Sequence, residues 1–260
     1  MLAQKIAGQS GGGVAEQFKN EIALNPKAIS KHLEPSLSIN SLPIYAPQQI
    51  EKLSMQIIDH EVLEPRPFSG QEWEVARRLV HTTADFDILN HLHFQGQAIE
   101  AGVAALLGGC TIFTDTEMAC CGIPLRRLNP LGCKRVCLLA RPGAQQKIAQ
   151  TASQENITRS QAAMQLAATL LNNQIVALGN APTALLKLIE LIQKGAALPA
   201  LVVAMPVGFV NAAESKDLLL AACPQIPAIV IRGRKGGSPL AAATVNALAE
   251  IALRERQATL

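Results

Sequence analysis

Residues 175–193, IVALGNAPTALLKLIELIQ, decide the fold. The apolar run Ile175 to Leu178 is too short for a helix and is closed by Gly179-Asn180, which suits a buried strand. Leu185, Leu188, Ile189 and Ile192 then recur at spacings of three and four, one stripe of an α-helix, with Gly195 as its cap. The same pattern returns twice. Leu201 to Ala204 precedes a helix near Glu214 to Ala222. Ala228 to Ile231 precedes a last helix that opens at Ser238-Pro239, with serine as N-cap and proline at the first helical position. Short apolar strands alternating with amphipathic helices predict βαβ units: an α/β fold with a parallel sheet and helices on both faces.

Working back towards the N-terminus, the pattern persists. Gln71 to Val80 is a predicted helix with Trp73, Ala76 and Val80 on one face, and Gln97 to Leu107 is another, ended by Gly108-Gly109. Thr111 to Thr114 and Val136 to Leu139 are short apolar runs suited to buried strands. Thr158 to Leu171 reads as a helix opening with the capping box Thr158-x-x-Gln161. Residues 1–40 differ, with a flexible Gly11-Gly12-Gly13 element and weak periodicity. The expected organisation is an N-terminal extension over 1–40 and a single α/β domain over 41–260.

Composition narrows the function. Hydrophobic residues are 49% and aromatics 3%, so a sizeable core is built from aliphatic side chains. The net charge of +3, with basic residues scattered, argues against a nucleic-acid partner. Residues 1–20 lack the continuous apolar segment of a signal peptide. The uncharged stretch Gly195 to Ala213 is broken by Pro199, Pro206 and Gly208 and falls short of a bilayer span. A cytoplasmic protein with no membrane partner is therefore expected, and its six cysteines are expected to be buried thiols. The spacing Cys120-Cys121…Cys133-x3-Cys137 fits no common zinc motif.

The three strands of the C-terminal half each feed an unusual loop: Gly179-Asn180-Ala181-Pro182-Thr183, Pro206-Val207-Gly208-Phe209 and Gly233-Arg234-Lys235-Gly236-Gly237-Ser238. In parallel sheets ligands bind where such carboxyl-end loops gather, and these offer N–H groups, helix N-termini and cations suited to anions. They could equally serve tight turns. His81, with Arg77, Arg78, Thr82 and Thr83 beside it, is a candidate proton donor. His91-x-His93 with Asp85 and Asp87 is a weaker candidate for a metal site. Arg159, at the first position of a capped helix, adds its charge to the positive end of the helix dipole and reads as a carboxylate clamp or a solvated surface arginine.

At this point the sequence resembles a known family. Val80-His81-Thr82-Thr83-Ala84-Asp85-Phe86-Asp87 is similar to the histidine motif of precorrin-8X methylmutases. Ile157-Thr158-Arg159-Ser160, Gly179 to Leu185, Pro206 to Val210 with Ala213-Glu214-Ser215-Lys216, and Gly233 to Ser238 match further motifs in the family's order, over about residues 45 to 252. The resemblance implies an isomerase of cobalamin biosynthesis that moves a methyl group from C11 to C12 of precorrin-8 or its cobalt complex. It implies a homodimer with active sites near the subunit interface and no dissociable cofactor. It makes His81 the catalytic acid and Ser54, Arg78 and Arg159 substrate contacts. The run after His81 looks more like the cobalt-substrate branch. A non-catalytic corrinoid carrier on the same scaffold is the alternative. A phosphate-binding nucleotide enzyme ranks low, because neither G-x-x-x-x-G-K-[ST] nor G-x-G-x-x-G occurs. Asn211 departs from the family's usual glycine, and asparagine is the least penalised replacement if that position is left-handed. The Cys120-Cys121 pair and Cys133 are also unusual for the family.

Overall fold

The computed structural model describes residues 45–259. The chain divides into two compact units between Leu63 and Glu64. Among the described residues the first unit contributes helix α1, Pro47–Glu61, which starts with proline at its first turn. The Ala46 N–H donates to Gln49 Oε1 at 3.1 Å, which satisfies one free donor at the helix start. The predicted extension over 1–40 lies outside the described residues.

The second unit carries a six-stranded sheet in the order β1-β6-β5-β4-β2-β3. The strands are β1 Leu92–Gln95, β2 Thr111–Thr114, β3 Lys134–Cys137, β4 Ile175–Leu178, β5 Leu201–Ala204 and β6 Ala228–Ile231. Five are mutually parallel, and β1 runs antiparallel on the edge beside β6, with Leu92 opposite Ile231. All residues of β4, β5 and β6 are buried, the unbroken apolar pattern of strands covered on both faces.

The α-helices of this unit are α2 Gly70–Thr83, α3 Ile88–His91, α4 Ala98–Leu107, α5 Glu117–Gly122, α6 Leu125–Leu128, α7 Gln145–Glu155, α8 Arg159–Ala167, α9 Pro182–Gln193, α10 Ala212–Ala222 and α11 Ser238–Thr259; α2 and α3 precede β1 and α11 follows β6. On one face α11 packs against α2, α4, α5 and α6, and on the other α7, α8, α9 and α10 pack in sequence. Small buried side chains, Ala241, Ala242, Ala247, Ala249 and Ala252, let the long helix α11 approach its neighbours closely. The opposite face is a cluster of larger aliphatics, with Ile148, Met164, Leu178, Leu185, Leu188 and Leu219 within it.

Strands β2, β4, β5 and β6 occupy the predicted residues. β3 begins earlier than the apolar run Val136 to Leu139 suggests, because an edge strand tolerates Lys134 and Arg135. After β2 the chain moves outward to β3 and then returns across β2 to β4. That reversal opens a crevice at the carboxyl ends of β2 and β4, where doubly wound sheets bind ligands.

Candidate functional site at the carboxyl edge

The crevice is organised by Asp115, which directly follows β2 and is 2% exposed. Its carboxylate accepts hydrogen bonds from the N–H groups of Gly179 at 2.9 Å, Asn180 at 2.8 Å and Ala181 at 2.7 Å. The loop after β4 therefore does not offer these donors to a ligand, contrary to the expectation from its sequence. The protein's own aspartate fills that anion site. Gly179 is required by close approach: a Cβ there would lie 2.5 Å from the Cα of Ser238. Thr116 Oγ1 and Ser238 Oγ, 2.8 Å apart, close the same junction.

The loops after β5 and β6 are joined to each other. Gly208 N–H donates to Arg234 O at 3.2 Å and Gly237 N–H to Met205 O at 2.8 Å. A Cβ on Gly236 would lie 2.3 Å from Met205 O, so only glycine fits. Lys216, from α10, is fully buried beneath them and donates to Pro206 O at 3.0 Å and Lys235 O at 2.8 Å. Burial pushes its ammonium down to about 8. Asn211 adopts φ +61°, the left-handed conformation that asparagine tolerates better than most residues. Phe209 projects into solvent, 82% exposed, with the Arg234 guanidinium 5.4 Å over its ring.

His81 stands half-buried in the last turn of α2, which ends on Ala84 at φ +50°. Helix α2 runs antiparallel to α11. Three contacts mark its path: Gln71 to Glu255 at 2.9 Å, Glu74 to Arg254 at 2.8 Å and Arg78 to Glu250 at 2.7 Å. Because α11 starts at the carboxyl edge, each step along α2 approaches that edge, and His81 lies one turn beyond Arg78 on the same side. Arg78 is 17% exposed and shares Glu250 with Arg127. The hydroxyls of Thr82 and Thr83 do not add donors for a ligand. They donate back into the helix, to Arg78 O at 2.8 Å and Leu79 O at 2.9 Å.

The segment after His81 is pinned to the β6 loop. Lys235 Nζ lies 2.7 Å from both Asp85 Oδ2 and Asp87 Oδ2. The ammonium holds both carboxyls below the usual aspartate range, Asp87 strongly so with further hydrogen bonds from Asn90 and His91, and the lysine is raised in turn. His91 Nε2 is 3.1 Å from Asp87 Oδ2, while His93 is exposed on β1. The acidic pair that suggested a metal site is thus engaged with a lysine. Among the described residues no group of three or more His, Cys, Asp or Glu side chains converges as a metal site.

Arg159 is the first residue of α8, capped by Thr158, whose Oγ1 accepts from Gln161 N–H at 3.1 Å. It lines an open cleft of about 350 Å³ with Thr116, Glu117, Cys137, Leu139 and Ala140, at the carboxyl ends of β2 and β3. In the sheet β5 and β4 lie between β6 and β2, so the carboxyl ends of β6, beside the anchored segment, and of β2, beside the Arg159 cleft, are on the order of 15 Å apart. Ser54 lies on α1, in the other unit, and donates to Ile50 O at 2.9 Å. All six cysteines are free thiols. Cys110, Cys133, Cys137 and Cys223 are buried as expected, whereas Cys120 is half-buried and Cys121 exposed.

Asp115 and Glu250 are not among the residues singled out in the sequence, and Lys216 enters there only as the end of a family motif, with no role given. A signal existed for two of them. Asp115 is a lone charge closing an apolar strand, and Lys216 falls on the buried stripe Ala212, Ser215, Leu219 of its own helix. Glu250 could be found only by knowing that α2 crosses α11.

A doubly wound sheet with joined glycine-rich loops, cations and a histidine-bearing helix end along its carboxyl edge places the chain among α/β proteins that bind ligands at that edge. The family model for Precorrin-8X methylmutase matches residues 49–251. Cobalt-precorrin-8 methylmutase of Leptospira interrogans is 42% identical over 207 residues, covering 77% of this chain and 92% of that protein. The Salmonella typhimurium protein of the same name is 42% identical over 212 residues, covering 79% and 95%. The crystal structure of precorrin-8X methylmutase from Thermus thermophilus superimposes with a TM-score of 0.71 at 42% identity, covering 79% of this chain and 98% of that one. The chain belongs to the precorrin-8X methylmutase family, and it is an isomerase that moves a methyl group. No helix among the described residues is long and apolar enough to cross a membrane.

Proposed function

We propose that this enzyme moves the methyl group on C11 of cobalt-precorrin-8 to C12, with His81 as the acid, and that it works as a cytoplasmic homodimer. The observation that carries the assignment is the setting of His81: a half-buried imidazole at a helix end on the carboxyl edge, between an ion-paired α2 and a segment pinned by Lys235. The C11–CH3 bond breaks and the C12–CH3 bond forms within one molecule. No atom enters or leaves, and any proton lent by His81 is recovered before release. The shift calls for no protein nucleophile. It calls for a fixed macrocycle and a proton or hydrogen bond at a ring nitrogen or adjacent carbon, which one imidazolium supplies. Cobalt belongs to the substrate, already chelated by the ring.

The acetate and propionate arms of the ring are anions, and Arg159, Arg78 and Ser54 are proposed to hold them. The names of the Leptospira and Salmonella relatives favour the cobalt complex as substrate. Mixing the purified protein with cobalt-precorrin-8 under anaerobic conditions tests the reading. The absorbance spectrum should shift to that of the more conjugated corrin on a catalytic timescale. A stoichiometric binding spectrum without turnover would identify a carrier.

A further inference from the structure

Lys216 is the bulkiest of the fully buried side chains among the described residues, and it occupies the apolar stripe of α10 between Ala212 and Leu219. Withdrawing an ammonium from water is costly unless its donors are matched. Here they meet the carbonyls of Pro206 and Lys235, one from the loop after β5 and one from the loop after β6. Asp217, the next residue on α10, is a charge that opposes the effect of burial. From the two loops the groups facing Lys216 are carbonyls, because the Lys235 ammonium is turned to Asp85 and Asp87. A continuous path therefore runs from α10 through the Lys235 backbone and side chain to the segment that follows His81.

We propose that Lys216 is a positioning residue for the methyl shift: it locks the two loops in one arrangement and, through Lys235, fixes the segment that carries Asp85 and Asp87 behind His81. This rests on the reading of His81 as the acid. Displacing a proton donor by about an ångström can lower a rate a hundredfold. A methionine at 216 fills similar volume without the donors, and a methionine at 235 removes the link from the other, exposed end.

The test is to measure kcat and KM on cobalt-precorrin-8 for the wild type, K216M, K235M and the double variant, with thermal unfolding of each and with His81→Ala alongside. Both single variants should lose about ten- to a hundredfold in kcat with little change in KM. The double should lose no more than the larger single, because both cut one link. K216R, which keeps charged donors, should recover part of the rate. Full kcat in a folded K216M, or losses that multiply in the double variant, would overturn the proposal. Should K216M fail to fold, unchanged kcat in K235M would overturn it equally. Retained turnover in His81→Ala would instead remove the acid assignment, and the loss in kcat of the lysine variants would still report on the link.

Discussion

Arg78 Nη2 and Glu250 Oε2 lie 2.7 Å apart, and Arg127 converges on the same carboxylate, so Glu250 neutralises two arginines at the crossing of α2 and α11. Removing the carboxylate leaves two largely buried cations facing each other. Glu250 is itself about one-third exposed, which tempers the loss. Glu250→Ala is expected to cost about 1–2 kcal/mol, a fall in Tm of roughly 2–8 °C for a chain of this size. Differential scanning calorimetry checks it. An unchanged Tm would mean that water screens the triad completely.

Asp115 is more demanding, because three backbone donors depend on it in a buried crevice. Each buried donor left without a partner costs about 1–3 kcal/mol. Asp115→Ala should therefore fail to accumulate as folded protein. Asp115→Asn retains one acceptor oxygen and should fold with a clearly lower denaturant midpoint. Wild-type stability in the asparagine variant would contradict the account of how the β4 loop is held.

The Lys235 cluster predicts a particular pH response. Asp85 and Asp87 are depressed, so their contribution is complete above the unfolded-state value near 4 and is lost as pH falls through the lower folded values. Lys235 is raised, so its share is complete below about 10.5 and is lost as pH rises through its folded value. The pairing should thus be constant between about pH 5 and 10. Carboxyl NMR titration should show Asp87 ionised throughout that range, and K235M should return both aspartates towards the ordinary value. Aspartate titrations unaffected by K235M would show that the bridge is not populated in solution.

How much of this was legible in the sequence follows from what each residue must satisfy. Strands β4, β5 and β6 are buried on both faces, so their apolar runs have sharp ends that the chain displays. β1, an edge strand of Leu92-His93-Phe94-Gln95, is half solvated and carries no such signature. The capped start of α8 was readable because backbone geometry restricts residue choice, and the left-handed Asn211 was open only as a condition, through the family's glycine at that place. The uses of Asp115, Lys235 and Glu250 were not. Each depends on a partner more than sixty residues away, and a charged residue in a sequence does not declare whether a ligand or the protein itself will neutralise it.

Arg159 opens towards a cleft. A charge-assisted hydrogen bond to a carboxylate arm should contribute about 1.5–3 kcal/mol, or about ten- to a hundredfold in affinity. Arg159→Ala should weaken both substrate and product binding by that order in fluorescence or absorbance titrations. Arg159→Lys should recover only part, since an ammonium lacks the planar fork. Unchanged affinity in Arg159→Ala would make it a solvated helix-start arginine.

The imidazole of His81 is proposed to drive the methyl shift without being needed to hold the ring. Single-turnover absorbance spectroscopy of His81→Ala with cobalt-precorrin-8, under anaerobic conditions, tests it most directly. The folded variant should bind the substrate with near-normal affinity and leave its spectrum unconverted. Conversion at close to the wild-type rate would remove His81 from the mechanism.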